Sequence, residues 1–167
     1  MAKVKRLDHI GIAVKDLDDA IERYTRILGA EFIAKKEIVL SGSKICVGYL
    51  KLGDTIIGLD QPANPDEFLA QFIERRGEGL HHIGIEVDDL GAFKAELSQK
   101  GVRVPHQEDP GGVRKEILLS PKDLCGVVFQ VMEWEEKGGG NVEEHIQRLH
   151  RCLEKWKKDP PARKGVS

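Results

Sequence analysis

The chain repeats itself. Leu7-Asp8-His9-Ile10-Gly11-Ile12-Ala13-Val14-Lys15-Asp16-Leu17 and Leu80-His81-His82-Ile83-Gly84-Ile85-Glu86-Val87-Asp88-Asp89-Leu90 share one frame, with His9 and His82 at matching positions. Each copy passes from alternating apolar residues into a helical pattern, so the repeated unit is a strand followed by a helix. Two such units imply a pseudo-symmetric domain. A histidine at the same strand position in both halves places two imidazoles near the symmetry axis, and facing imidazoles most often hold a metal.

Alternation in the first unit puts His9, Gly11 and Ala13 on one strand face and Ile10, Ile12 and Val14 on the other, which a helix must cover. That helix is predicted from Leu17 to Leu28, capped by Asp16 or Asp18 and stopped by Gly29. Strands are expected over 31–38, 44–52 and 55–60, with turns at Ser41-Gly42-Ser43 and Gly53-Asp54. The second unit repeats the order: a strand from His81 to Val87, a helix from Leu90 to Lys100, then strands near Arg103, over 114–119 and over 126–132, with a loop at 105–112. The predicted class is α+β, with two pseudo-symmetric βαβββ modules forming a cupped mixed sheet. One domain spans 5–133, its modules at 5–62 and 79–133 joined by a connector helix over 64–77 that Asn64-Pro65 opens.

After Trp134 a charged, glycine-rich linker runs over 134–140 and a helix is predicted over 141–158, with Asn141 and Glu144 in capping-box spacing. Its stripe of Val142, Ile146, Leu149, Leu153 and Trp156 needs a partner. Packing back on its own sheet is the favoured reading, a homodimer contact the alternative. The tail over 159–167 is expected to be disordered.

The 26 basic and 28 acidic residues nearly cancel, which excludes the electrostatic footprint of a nucleic-acid binder. No apolar run approaches the roughly 20 residues of a membrane helix, and no signal-peptide core precedes the first strand, so the expectation is a cytoplasmic protein with no membrane partner. Cys46, Cys125 and Cys152 have no CxxC spacing and read as buried small hydrophobes.

On the last strand, alternation sends Gln130 to the histidine side, together with Val128 and Met132. An unpaired buried amide costs about 1–3 kcal/mol, so Gln130 needs a partner, and a metal or a bound ligand could supply it. A lone strand histidine is most often structural; repetition and the third polar side chain favour a divalent metal (Zn, Co, Mn, Ni or Fe) held by His9, His82 and Gln130. His81 alternates to the opposite face and reads as structural, as do His106, His145 and His150. Arg114 and Glu116 share the cavity face. Glu116 is either an acid/base group or, the favoured reading, half of an ion pair where the sheet faces water.

The paired units, the two histidines, the runs Asp8-His9-Ile10-Gly11-Ile12-Ala13-Val14, Leu52-Gly53-Asp54-Thr55 and Gly77-Glu78-Gly79-Leu80-His81-His82-Ile83, and the stretch Ser120-Pro121-Lys122 leading to Gln130 together resemble the vicinal oxygen chelate superfamily. Within it they look most like the methylmalonyl-CoA epimerase branch, close to glyoxalase I. The resemblance implies a divalent cation on two histidines, a mid-chain glutamate or glutamine, and a late glutamate. The histidines match as His9 and His82; the middle ligand falls on Gly58 and the late glutamate on Gln130. A second catalytic glutamate of the family falls on Ser41-Gly42-Ser43. Glutamine can coordinate through oxygen but is no base at neutral pH, so neither expected base is present and Glu116 is the first suspect for another.

Three functions compete. The leading one is a metal-dependent enzyme of the glyoxalase and epimerase type, an isomerase or lyase acting on a small carbonyl compound or acyl-CoA, with chemistry altered from true epimerisation. The second is a protein on the same fold that sequesters a small molecule without turnover. The third, a non-haem iron oxygenase, is disfavoured because Gln130 stands where its facial triad needs a carboxylate.

Overall fold

The computed structural model describes residues 1–40, 42–104, 107–109, 112–138 and 140–158. Ser41, His106, the side chain of Trp156 and the tail over 159–167 therefore lie outside the described residues. The elements run β1 (Val4–Ala13), α1 (Leu17–Leu28), β2 (Glu31–Leu40), β3 (Ser43–Leu52), β4 (Thr55–Pro62), α2 (Phe68–Arg76), β5 (Gly79–Val87), α3 (Leu90–Gln99), β6 (Arg114–Leu119), β7 (Val128–Trp134) and α4 (Val142–Lys158).

One seven-stranded sheet, ordered β2-β3-β4-β1-β5-β7-β6, curls into a cup. The two first strands of the repeats lie side by side: β1 pairs antiparallel with β5, and each pairs parallel with the last strand of its own module, β1 with β4 and β5 with β7. The α+β class and the cupped sheet are thus those the repeat implies. Among the described residues, the strand anticipated near Arg103 is reduced to one bridge, Glu108 to Glu116.

Each module's own helix covers the convex face. Asp16 accepts a hydrogen bond from the Asp19 backbone N–H at the start of α1, and Gly29 at φ 67° closes it in the left-handed conformation that glycine tolerates. Leu17 and Ala20 then pack on Leu50, Ile57 and Leu59, and Leu90 of α3 packs on Val87, Ile117 and Val131. Alternation sends the intervening residues of the same strands to the concave face. There Ile45, Val47, Tyr49, Ile56, Met132 and Trp134 meet Leu69 and Ile73 of α2 and Val142, Leu149 and Leu153 of α4 in a third core. The stripe on the C-terminal helix therefore packs back on its own sheet.

The connector helix begins at Phe68, not at residue 64; the Asn64 side chain donates to Glu67 Oε1 in a turn ahead of it. Among the cysteines, Cys152 is buried and Cys46 half-buried, but Cys125 is exposed, contrary to expectation, at φ 53° beside Gly126 in the turn that precedes β7. Among the described residues no helix is long and apolar enough to cross a membrane.

Candidate active site

The β1–β5 seam builds the site. Its register sets His9 opposite Gly84 and Gly11 opposite His82, so each histidine ring folds across the seam onto the other strand's glycine. The arrangement works only because neither glycine carries a Cβ: one added at Gly11 would stand 2.0 Å from His82 Cε1, and one at Gly84 would stand 2.5 Å from His9 Nδ1. The repeated His-x-Gly is thus a self-complementary pair about the pseudo-dyad. His9 Nε2 and His82 Nε2 face each other at 3.0 Å, their rings edge to face with interplanar angle 82°.

The histidines belong to a longer polar chain. His9 Nδ1 lies 2.8 Å from Asp8 Oδ1, a contact that orients the ring with Nε2 turned into the site. Asp8 Oδ2 accepts from Trp134 Nε1 at 2.8 Å and lies 3.2 Å from His145 Nε2. Burial alone would raise the Asp8 carboxyl, but its hydrogen bonds with His145 and His9 outweigh that and hold it well below the usual carboxylate range. On the other side His82 Nδ1 lies 3.0 Å from His81 Nδ1 and 3.9 Å from Asp60 Oδ2. Burial, then the neighbouring His9, His81 and Arg114, hold His82 well below its ordinary range, so at neutral pH it is the neutral, lone-pair-bearing imidazole. Desolvation likewise lowers His81 to about 4, and it raises Asp60 to about 6.

Gln130 is 2% exposed and lines the same cavity as His9 and His82. Gly58 lines it too, and a Cβ there would meet nothing closer than Asp60 Oδ1 at 3.7 Å. Arg114 Nε donates to Glu116 Oε2 at 2.6 Å. This is the ion pair expected, but it is buried rather than facing water, and Glu116 Oε1 has no hydrogen-bond partner among the described residues.

One expectation is overturned. His81 does not leave the site for the opposite face: it lines the cavity, packed against Phe68 and Phe72. His145, read as structural, is laid by α4 against Asp8 and the Trp134 ring. Strict alternation does not single out Asp8 either. A register irregularity between Leu7 and His9 lets consecutive residues both reach the concave side. Asp60 is accessible to pattern reasoning, because it lies one pleat beyond Gly58 on β4.

The donors suit a divalent cation only in part. Two metal–nitrogen bonds of about 2.0–2.1 Å at a tetrahedral angle separate their nitrogens by roughly 3.4 Å, close to the 3.0 Å spacing of the imidazoles. The Asp8 to His9 contact is the usual outer support of such a ligand. Among the described residues, however, no three of His, Cys, Asp and Glu are grouped to hold a metal, so a third protein ligand would have to be the Gln130 amide oxygen. The cavity itself holds about 50 Å³, enough for an ion or a water or two.

Comparison with known proteins agrees with this architecture. The model of the Glyoxalase/Bleomycin resistance protein/Dioxygenase superfamily matches residues 8–117. Human mitochondrial methylmalonyl-CoA epimerase is 35% identical over 129 residues, covering 75% of this chain and 72% of its own. The ethylmalonyl-CoA/methylmalonyl-CoA epimerase of Cereibacter sphaeroides is 35% identical over 132 residues, 77% of this chain and 97% of its own. Among solved structures, methylmalonyl-CoA epimerase from Mycobacterium tuberculosis superposes with TM-score 0.71 at 30% identity, covering 80% of this chain and 90% of that one. A Streptomyces coelicolor methylmalonyl-CoA epimerase variant in complex with 2-nitronate-propionyl-CoA gives 0.70 at 30% identity, covering 80% of this chain and all of that one, 100%.

Proposed function

We propose, from the premise that this chain belongs to the glyoxalase/bleomycin resistance protein/dioxygenase superfamily and to its methylmalonyl-CoA epimerase-like branch, that it is an isomerase moving the α-proton of an acyl-CoA. The observation that carries the reading is the enclosed histidine pair with a buried carboxylate, Asp60, beside it. His9 and His82, with the Gln130 amide oxygen, would hold a divalent cation, which when bound polarises the thioester carbonyl and acidifies the α-carbon.

The remaining work falls to side chains. Asp60, raised by burial to about 6 before any cation binds, is the buried carboxylate beside the histidines that would act as general base. It replaces the base function that Gln130 and Ser41-Gly42-Ser43 do not supply, and it displaces Glu116 from that role. Glu116 instead holds Arg114, whose guanidinium lines the cavity as a counter-charge for a carboxylate on the substrate. Asp60 alone removes the α-proton and returns a proton to the same face, which exchanges it with solvent; inversion at the α-carbon also needs an acid on the opposite face of the enolate.

Solvent deuterium exchange at the α-carbon of methylmalonyl-CoA tests this. The wild type should wash in deuterium, and Asp60→Asn should lose about 10²- to 10⁴-fold of the rate. Tight binding of an acyl-CoA without any exchange would select the alternative instead, a ligand-sequestering protein on the same fold.

A further inference from the structure

Helix α4 reaches the histidine pair through Asp8. His145, 3% exposed, turns from the helix toward β1, with its Nε2 3.2 Å from Asp8 Oδ2. The other ring nitrogen, Nδ1, lies 3.0 Å from Arg148 Nη2, three residues on. An arginine can only donate, so Nδ1 accepts there, and the ring proton sits on Nε2, from which it is donated to the carboxylate. Arg148 is itself held, since its two terminal nitrogens donate to Glu86 of β5. Its guanidinium lies over the ring of Trp134, whose Nε1 donates to the same Asp8 Oδ2.

These contacts divide the Asp8 carboxylate between two tasks. Oδ1 faces His9 Nδ1, and Oδ2 is left to Trp134 and His145. A carboxylate steadies a neighbouring ring only if it is itself fixed. Asp8 lies at the irregularity of the β1–β5 ladder between Leu7 and His9, where a regular pleat does not set its direction, and α4 supplies the missing anchor. His145 and Arg148, less than one helical turn apart, grip Asp8 on the strand that carries His9 and Glu86 on the strand that carries His82. Val142, Leu149 and Leu153 account for the docking of α4 by apolar burial. That burial does not call for an imidazole at residue 145 aimed at the outer support of His9.

We propose that His145 is a positioning residue of the histidine pair: through Asp8 it fixes the His9 ring, so that docking of α4 and binding of a divalent cation at His9 and His82 favour one another. The inference rests on reading the two histidines as ligands of the cation, and a measurement on the metal-free protein separates the two. His145→Met and His145→Gln carry side chains of one length that suit a helix equally, but only the glutamine amide can donate to Asp8. Thermal melts of both serve as folding controls. In calorimetric titration with Zn²⁺ at fixed pH, affinity should fall about tenfold in His145→Met, the lower end of what loss of an outer partner costs, and recover in His145→Gln. Because coupling is reciprocal, Zn²⁺ should slow amide exchange along α4 in the wild type and in His145→Gln but not in His145→Met. Leu153→Ala, which removes packing about two turns further along the helix, should lower Tm and leave Zn²⁺ affinity unchanged. In the metal-free proteins, ¹³C relaxation at Cε1 should find the His9 ring ordered in the wild type and in His145→Gln, and mobile in His145→Met. Ring order that follows the donor without Zn²⁺ binding by any of the proteins supports the positioning role and overturns the ligand reading. Ring order alike in all three overturns the positioning role, as does a loss of Zn²⁺ affinity no greater in His145→Met than in Leu153→Ala.

Discussion

One methyl group is enough to break the histidine pair. Each ring occupies the volume that a Cβ on the opposing glycine would need, with contacts as short as 2.0 Å at Gly11 and 2.5 Å at Gly84. Gly11→Ala or Gly84→Ala should turn the facing ring out of the site while the backbone, at ordinary φ, stays where it is. We expect either change to weaken binding of a divalent cation by about 10- to 100-fold, as loss of ligand orientation does elsewhere; titration with Zn²⁺ at fixed pH checks this, and unchanged affinity would mean that the rings do not hold the ion together. Gln130→Glu should act oppositely, since it adds a negative charge to a neutral ligand set, and the same titration should show tighter binding. The histidines and their glycines can be found in the sequence because both partners of each contact sit inside the repeat. Asp8 cannot be found that way: it reaches the cavity through an irregularity of the β1–β5 ladder that no residue pattern announces. His81 cannot either, because its place depends on Phe68 and Phe72 of α2.

Helix α4 shows what an amphipathic stripe does and does not reveal. Val142, Leu149 and Leu153 announce a buried face, but the polar residues between them decide where it docks. Arg148, 1% exposed, forms a two-pronged pair with Glu86 of β5, at 2.6 and 3.2 Å, and lies 4.5 Å over the Trp134 ring. Its partner is 62 residues away in sequence, so the pair is invisible until the sheet is assembled. The family model ends at residue 117, and α4 lies beyond it. Removing one member of a buried pair costs about 3–5 kcal/mol. Because Glu86 also keeps Lys5 and Arg6, Arg148→Ala should fall near the lower end, and hydrogen exchange should quicken along α4 more than along α1. The pH dependence has a definite sign. Desolvation would raise Glu86, but Arg148 and Lys5 outweigh it and hold its carboxyl below the ordinary 4.5. Docking stabilisation from this group is therefore complete above about 4.5 and is lost as pH falls through the lowered value. Faster α4 exchange on acidification should accompany the wild type and be blunted in Glu86→Gln.

The two modules meet at one antiparallel seam, β1 with β5, while each keeps its own convex core under α1 or α3. The histidine pair crosses that seam, so anything held between His9 and His82 ties one half of the molecule to the other. A ligand bound only by the folded state stabilises by RT ln(1 + [L]/Kd), about 2.7 kcal/mol at a hundredfold excess over Kd. For a domain of this size each kcal/mol raises Tm by roughly 2–4 °C. Saturating Zn²⁺ or Co²⁺ should therefore raise the wild-type Tm by about 5–10 °C and sharpen one calorimetric transition, since the halves can no longer part separately. His9→Ala and His82→Ala should each abolish the shift, and they should do so alike, because the pseudo-dyad gives the two imidazoles equivalent places. If one variant kept the full shift, the cation would be held within a single module, and the seam would have to be a packing surface alone.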